Sequence, residues 1–443
     1  MQSIKNIDLL IEPDWIVPVE PADMVLENHS VAVHHGRIVE VLPSAEAKQR
    51  FRARSTKRLE GHVLIPGLVN LHTHAAMALF RGLADDLALM DWLSNHIWPA
   101  EGRHVSDQFI YDGTLLACAE MLKGGITCFN DMYFFPEQAG RAALATGMRA
   151  CLGIVLIEFP TPYASDAQDY LRKGLAARDT LKSESLTSFC MAPHAPYTVS
   201  DSSFEQIVTL AEQLDLPIHV HLHETEGEIA EHMKQFGIRP IERMQRLGLV
   251  GPRLIAVHAV HLEDVEIALL AAQGCSVAHC PASNLKLASG FARIGDLLRA
   301  GINVGIGTDG AASNNRLDIL GELRLAALVS KAQSSDARIM SAHTALRMAT
   351  LDGARALGLE QLIGSIEGDK AADLTAIDLA GALELAPWYD PASHLVYAAG
   401  REHVSHVWVQ GKEIVTDGQL NDVDEHRLLA KARSWQRQIA ATD

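Results

Sequence analysis

Apolar runs in this sequence are short. The stretch from Ala150 to Ile157 stops after roughly eight residues, against the ~20 that a membrane-spanning helix needs, so a membrane partner is not expected. Basic residues are outnumbered, with 38 Lys plus Arg against 55 Asp plus Glu and a formal net charge of −17. A phosphate backbone is repelled by such a field, so nucleic acid is not an expected partner. Cysteine is scarce: six residues, Cys118, Cys128, Cys151, Cys190, Cys275 and Cys280, none in a C-x-x-C pair. Several lie in apolar, strand-like runs, which points to buried free thiols in a reducing cytoplasm and not to a disulfide framework. The opening Met-Gln-Ser-Ile-Lys-Asn-Ile-Asp lacks a basic segment followed by an apolar one, so no secretory signal is expected. Low-complexity linkers and short internal repeats are also missing. The remainder is ordinary: 48% hydrophobic and 21% charged, which excludes disordered and fibrous classes. Histidine alone is plentiful, with 21 residues, many inside short apolar segments.

The pattern along the chain changes twice. Residues 1 to about 60 read as short strands, Ile7–Ile11, Ser30–His34 and Arg37–Val41, with a turn at His35-Gly36. From about 62 to 310 the sequence alternates apolar strands with amphipathic helices. Eight strands are expected: Val63–His74, Ile126–Asp131, Arg149–Ile157, Ser188–Ala192, Ile218–His223, Leu254–His258, Ser276–Cys280 and Asn303–Thr308. Helix signals fall between them. Ser106 caps a helix that ends before Gly124-Gly125, Pro136 opens one closed by Gly147, and Asp201 caps one running to about Leu214. Glu263–Ala272 is another, and Asp318–Gln333 and Ser341–Ala356 follow the last strand. Strand character returns at Leu374–Asp378, Val404–Val409 and Lys412–Val415, with a turn at Gln410-Gly411. The expected fold is α/β: a (β/α)8 TIM-type barrel over 62–365. A small β-sandwich domain is assembled from both chain ends, 1–61 and 366–420, and 421–443 form a charged terminal helix.

Chemistry-bearing residues gather at strand ends. His72 and His74, two apart on a strand, leave the same face and make a chelating pair. In His219-Val220-His221-Leu222-His223-Glu224 alternation puts all three histidines on one face, so spacing alone does not choose among them. Glu224 sits at the strand exit, placed as an acid/base. Glu226 and Glu228 are better read as first-turn residues that suit a helix dipole. His258 ends another strand, and His261 beyond it reads as a helix-entry surface residue. His279 ends the seventh strand and is as readily structural as functional. His194 and Asp309 end the fourth and eighth strands. Thus His72, His74, His194, His221, Glu224, His258 and Asp309 all fall on the C-terminal face, where barrel enzymes keep their active sites. Imidazoles with a carboxylate and no thiolate suit Zn²⁺, Fe²⁺ or Mn²⁺.

These residues resemble the amidohydrolase superfamily, whose strand-one signature matches Pro66-Gly67-Leu68-Val69-Asn70-Leu71-His72-Thr73-His74. More narrowly the chain is similar to the 5′-methylthioadenosine/S-adenosylhomocysteine deaminases. The matching stretches are His221 to Thr225, His279 to Gly290 and Gly307 to Asn315. The resemblance implies that His72, His74, His221 and Asp309 hold the metal, and that Glu224 is the acid/base. It assigns His258 to orienting the attacking water or the leaving group, His194 to substrate contact, and Glu101 to the ribose hydroxyls; a solvated loop carboxylate after Pro99 is the plainer reading of Glu101. No lysine ends strand four to bridge a second ion, so one divalent metal per chain is expected, with zinc first. The implied reaction is hydrolytic deamination at C6 of an adenine nucleoside. Asp309 takes a proton from the attacking water and Glu224 protonates ring N1. 5′-Methylthioadenosine is the expected substrate, with S-adenosylhomocysteine or adenosine as alternatives, since no arginine is assigned to an amino-acid tail. Leu87–Trp98 reads either as a lid or as a plain amphipathic helix, and a homo-oligomer is expected. The small zinc deaminases are excluded because their P-C-x-x-C pair is missing. Two rivals stand: another amidohydrolase specificity (guanine, cytosine or pterin deaminase, or triazine hydrolase), and a metal-free barrel serving in binding or assembly.

Overall fold

A computed structural model describes residues 4–441; the first three and last two residues of the expected end segments lie outside the described residues. Eight parallel strands form the barrel: β1 (Leu68–Thr73), β2 (Ile126–Asp131), β3 (Arg149–Leu156), β4 (Thr187–Pro193), β5 (Ile218–Leu222), β6 (Leu254–His258), β7 (Ser276–His279) and β8 (Asn303–Ile306). Each pairs with its sequence neighbour. They read as continuous apolar runs because a barrel strand is buried on both faces.

The seam between β1 and β8 is closed differently. At its C-terminal end Asp309 N donates to the His72 carbonyl at 2.9 Å. Below that, the Asn70 side chain takes the place of a strand partner. Its Nδ2 donates to Thr308 Oγ1 at 2.8 Å and its Oδ1 accepts from Thr308 N at 3.0 Å.

A second, nine-stranded sheet joins the chain ends. Its centre is the long strand Phe51–Pro66, which runs parallel to Lys5–Ile16 on one side and antiparallel to Leu374–Asp378 on the other. Ile11, Val31 and Val33 from one chain end share an apolar cluster with Leu374 and Trp408 from the other. The run Val63–His74 is therefore two strands: Val63–Pro66 finishes the small sheet, past residue 61, and the barrel strand starts at Leu68. Gly67 makes the crossing, where a Cβ would lie 2.1 Å from Thr127 Oγ1.

Helix ends follow the local signals closely. Ser106 Oγ accepts from Phe109 N, Gly147 closes Pro136–Thr146 at φ +74°, and Asp424 caps Glu425–Ala440. Two differ. Ser200, not Asp201, caps Asp201–Leu214. Ser341–Ala356 breaks into Ala342–Met348 and Leu351–Ala356, with Thr350 as the second cap residue. The terminal helix packs on Asp107–Lys123, where Trp435 Nε1 donates to Asp112 and its ring meets Phe109. All six cysteines are free and buried. Among the described residues no helix is long and apolar enough to cross a membrane.

Candidate active site

The C-terminal mouth of the barrel holds a cavity of about 310 Å³. His74, His194, His221, Glu224, His258 and Asp309 line it from the barrel, and Glu101 lines it from outside. His72 is fully buried beneath. Two of these positions carry strained backbone, with φ +69° at His258 and +61° at Asp309, and so does His223 beside Glu224 at +56°. Such conformations in non-glycine residues cost about 1–3 kcal/mol each and concentrate at working sites.

One ligand atom each from His72, His74, His221 and Asp309 lies within 4.8 Å of the others. The outer nitrogens are already committed. His74 Nδ1 donates to the Met132 carbonyl at 2.6 Å and His221 Nδ1 to the His194 carbonyl at 2.8 Å. Their Nε2 lone pairs are thus fixed inward. His221 Nε2 sits 3.3 Å from His72 Nε2, and His74 Nε2 sits 3.2 Å from Asp309 Oδ1. Burial lowers His72 to about 4 and drives His221 well below the usual imidazole range, so both are neutral. Burial also opposes a charge on His74, yet the hydrogen bond and charge of Asp309 raise it to about 9. Three imidazoles and one carboxylate whose ligand atoms converge within 4.8 Å fit a divalent cation.

The strand-five ambiguity resolves by geometry. His221 joins the group, whereas His219 lies behind it, its Nε2 3.0 Å from His72 Nδ1. His223 falls past the strand end and turns away; its Nε2 accepts from Ile241 N. Glu224 faces the cavity, buried, with its carboxyl raised by that burial, and its Oε2 is 3.8 Å from His258 Nε2. Glu228 reaches back to accept from the backbone N–H groups of His223 and Glu224, the role of a helix-start carboxylate. His194 Nδ1 pairs with Thr198 Oγ1, and burial lowers the ring to about 3. His279 ends β7 buried, outside the cavity wall.

Glu101 is not a solvated loop residue. It lies on the helix Trp98–His104, and Tyr133 Oη donates to its Oε1 at 2.6 Å. Burial raises the carboxyl to about 7 although that hydrogen bond lowers it. The Leu87–Trp98 stretch is helical in pieces, Leu89–Trp92 and then a π turn over Leu93–Ile97. Leu89, Trp92, Leu93, Ile97 and Trp98 wall the cavity, so it is a cover and not a plain surface helix.

Several supporting residues carry no signal of their own in the sequence. Ser283 and Ser313 donate to Asp309 Oδ2, Asn284 Oδ1 accepts from His258 Nδ1 at 2.8 Å, and Asp131 holds the chain after β1 through Ala75 N. Ser283, Asn284 and Ser313 stand inside the stretches that carried the resemblance, which was the available clue.

A parallel barrel with three imidazoles and one carboxylate gathered at its C-terminal mouth offers a group that could hold a metal ion. Residues 63–414 match the amidohydrolase family. A 5-methylthioadenosine/S-adenosylhomocysteine deaminase of Saccharophagus degradans is 45% identical over 434 residues, covering 98% of this chain and 97% of the relative. One of the same name from Teredinibacter turnerae is 43% identical across 100% of both. The crystal structure of an adenosine deaminase from Xanthomonas campestris, with bound zinc, has a TM-score of 0.98 to this fold at 50% identity, covering 99% of this chain and 100% of that one. The chain belongs to the amidohydrolase family.

Proposed function

We propose that this hydrolytic deaminase acts on adenine nucleosides, converting 5′-methylthioadenosine to 5′-methylthioinosine and ammonia. The cavity wall carries the reading. It brings together the acid/base groups Glu224, His258 and Asp309, the carboxylate Glu101, and the apolar side chains Leu89, Trp92, Leu93, Ile97, Trp98 and Phe159 as an apolar arm. A purine, a ribose and a short thioether call for those three kinds of group. No lysine or arginine is among the lining residues described, so nothing there pairs with the carboxylate of a homocysteine tail.

In this reading His72, His74, His221 and Asp309 hold one divalent cation, zinc by the donor set. When bound, it supplies Lewis-acid activation of water at neutral pH. Asp309 accepts the proton of the attacking water. Glu224, buried and able to keep its proton, delivers it to ring N1 as the water oxygen bonds to C6, so that charge does not accumulate on the ring. His258 donates Nδ1–H to Asn284, which leaves Nε2 free to orient the water. Glu224, left as a carboxylate, takes the proton of the new C6 hydroxyl and passes it to the amino group as the C6–N bond breaks and ammonia leaves, and the proton held by Asp309 then restores Glu224. Glu101 accepts hydrogen bonds from the ribose hydroxyls. The buried thiols suit a reducing compartment, and we place the enzyme in the cytoplasm.

Ammonia release from 5′-methylthioadenosine, S-adenosylhomocysteine, adenosine, adenine and guanine tests this directly. The expected order puts methylthioadenosine first in kcat/KM, with the free bases inert. Preference for a free base would replace this reading with base deamination, and preference for S-adenosylhomocysteine would reassign the apolar arm.

A further inference from the structure

The long stretches His279–Gly290 and Gly307–Asn315 contribute few residues to the chemistry above. Their serines have a place of their own. Ser283 Oγ donates to Asp309 Oδ2 at 2.6 Å and Ser313 Oγ donates to the same oxygen at 2.7 Å. Both serines are buried, at 0% and 2% exposure. The other oxygen, Oδ1, faces His72 Nε2 at 3.1 Å and His74 Nε2 at 3.2 Å. The carboxylate is therefore divided: one oxygen is saturated by hydroxyls and the other is turned to the imidazoles. Rotating it would break two buried hydrogen bonds at once.

The two serines come from different loops. Ser283 lies in the helix Pro281–Lys286 after β7, and Ser313 in the turn after β8. Buried Glu322 ties these loops together. Its Oε2 accepts from Ala282 N at 3.0 Å and its Oε1 from Asn314 Nδ2 at 2.7 Å. Asn314 Nδ2 also donates to the Thr308 carbonyl. The hydroxyl pair is thus held by a rigid frame and not by side-chain chance.

We propose that Ser283 and Ser313 are positioning residues that set the affinity of the metal group by fixing the Asp309 carboxylate. The inference rests on the metal-holding role given to Asp309. Outer hydrogen bonds to a ligating group typically change metal affinity by about 10–100-fold when removed. Each Ser→Ala change deletes one oxygen and adds no volume. Zinc alone is the probe, titrated into chelator-treated protein against a competing colorimetric chelator, with melting of the apo protein recorded alongside. Ser283→Ala and Ser313→Ala should each weaken zinc about tenfold or more, and the double variant further, with apo melting within a few degrees of wild type. Thr114→Val, which removes a buried hydroxyl without a partner in the helix Asp107–Lys123, should leave zinc affinity unchanged. Asp309→Ala separates the two readings. If it abolishes tight zinc binding while both serine variants and the double bind within twofold of wild type, the serine proposal falls and the metal group stands. If Asp309→Ala binds zinc as wild type does, the metal assignment falls with it.

Discussion

Glu101 and Glu224 face one cavity, but different contacts hold them. Glu224 has His258 at 3.8 Å, which leaves its proton free to move. Glu101 is held by the Tyr133 hydroxyl, an arrangement suited to fixed recognition of substrate hydroxyls and not to proton transfer. Hydrogen bonds to a charged group contribute about 1.5–3 kcal/mol, and about 1.4 kcal/mol is a decade in rate. Glu101→Ala should therefore lower kcat/KM for 5′-methylthioadenosine roughly ten- to a hundredfold, with metal content unchanged. Tyr133→Phe should lower it less, because the carboxylate stays but loses its orienting donor. The same variants assayed on the 2′,3′-dideoxy analogue should match wild type, since that substrate has no hydroxyls to lose. Equal losses on both substrates would mean that the two residues shape the cavity and do not read the ribose.

At the scale of elements, the barrel seam and the metal group depend on one side chain. Asn70 gives Thr308 both a donor and an acceptor, and Asp309 follows Thr308 directly. Leu at 70 would fill similar space but strand Thr308 N, a buried backbone donor, at about 1–3 kcal/mol. Asn70→Leu should lower unfolding stability by about that amount in a urea titration and also weaken zinc, because β8 would no longer be pinned against β1. Stability loss without any change in zinc affinity would confine Asn70 to packing. Its position within Val69-Asn70-Leu71-His72 made the neighbouring histidines legible from sequence, but a seam partner 238 residues away leaves no local trace. The same limit explains the other differences. From Val63 to Val69 the run is apolar because both strands are buried there, so periodicity cannot show that the chain changes sheets at Gly67. Alternation grouped His219, His221 and His223, but the strand ends at Leu222 and the left-handed turn at His223 breaks the pattern. By contrast, Gly147 and Ser106 act within one turn of their own positions, and those helix ends could be read directly. The strand-end placement of His72, His221, His258 and Asp309 was legible for the same reason. The partners that hold His72, His258 and Asp309 in place (His219, Asn284 and Ser283) come from other elements, and nothing local to those three residues shows the pairing.

For the molecule as a whole, the small sheet sits at the opposite end of the barrel from the cavity. Thr375 Oγ1 donates to the Gly125 carbonyl just before β2, and Ser185 reaches Gln410 just before β4. The strongest link is Arg149, the first residue of β3. Its Nε donates to Asp373 Oδ2 at 2.9 Å, its Nη2 reaches Oδ1 at 3.3 Å and its Nη1 donates to the Ser185 carbonyl. The pair is buried, with side chains 3% and 1% exposed. Burial disfavours the guanidinium charge, but Asp373 outweighs it and keeps the Arg149 pKa raised. Removing one partner leaves the other as an uncompensated buried charge, which costs about 3–5 kcal/mol. Arg149→Leu should therefore lower stability by about that amount in denaturant unfolding. Replacing both, Arg149→Leu with Asp373→Leu, should recover part of the loss, because two apolar residues no longer bury a lone charge. The recovery will be incomplete, since Asp373 Oδ1 also accepts from Gln410 N at 2.7 Å. Because β3 runs from Arg149 at this rim towards the cavity at its other end, kcat of the folded, metal-loaded single variant should stay within twofold of wild type. A fall in kcat that tracks the stability loss would show that the docking of the small sheet is transmitted through the barrel to the metal group, and that the two ends of the molecule are coupled.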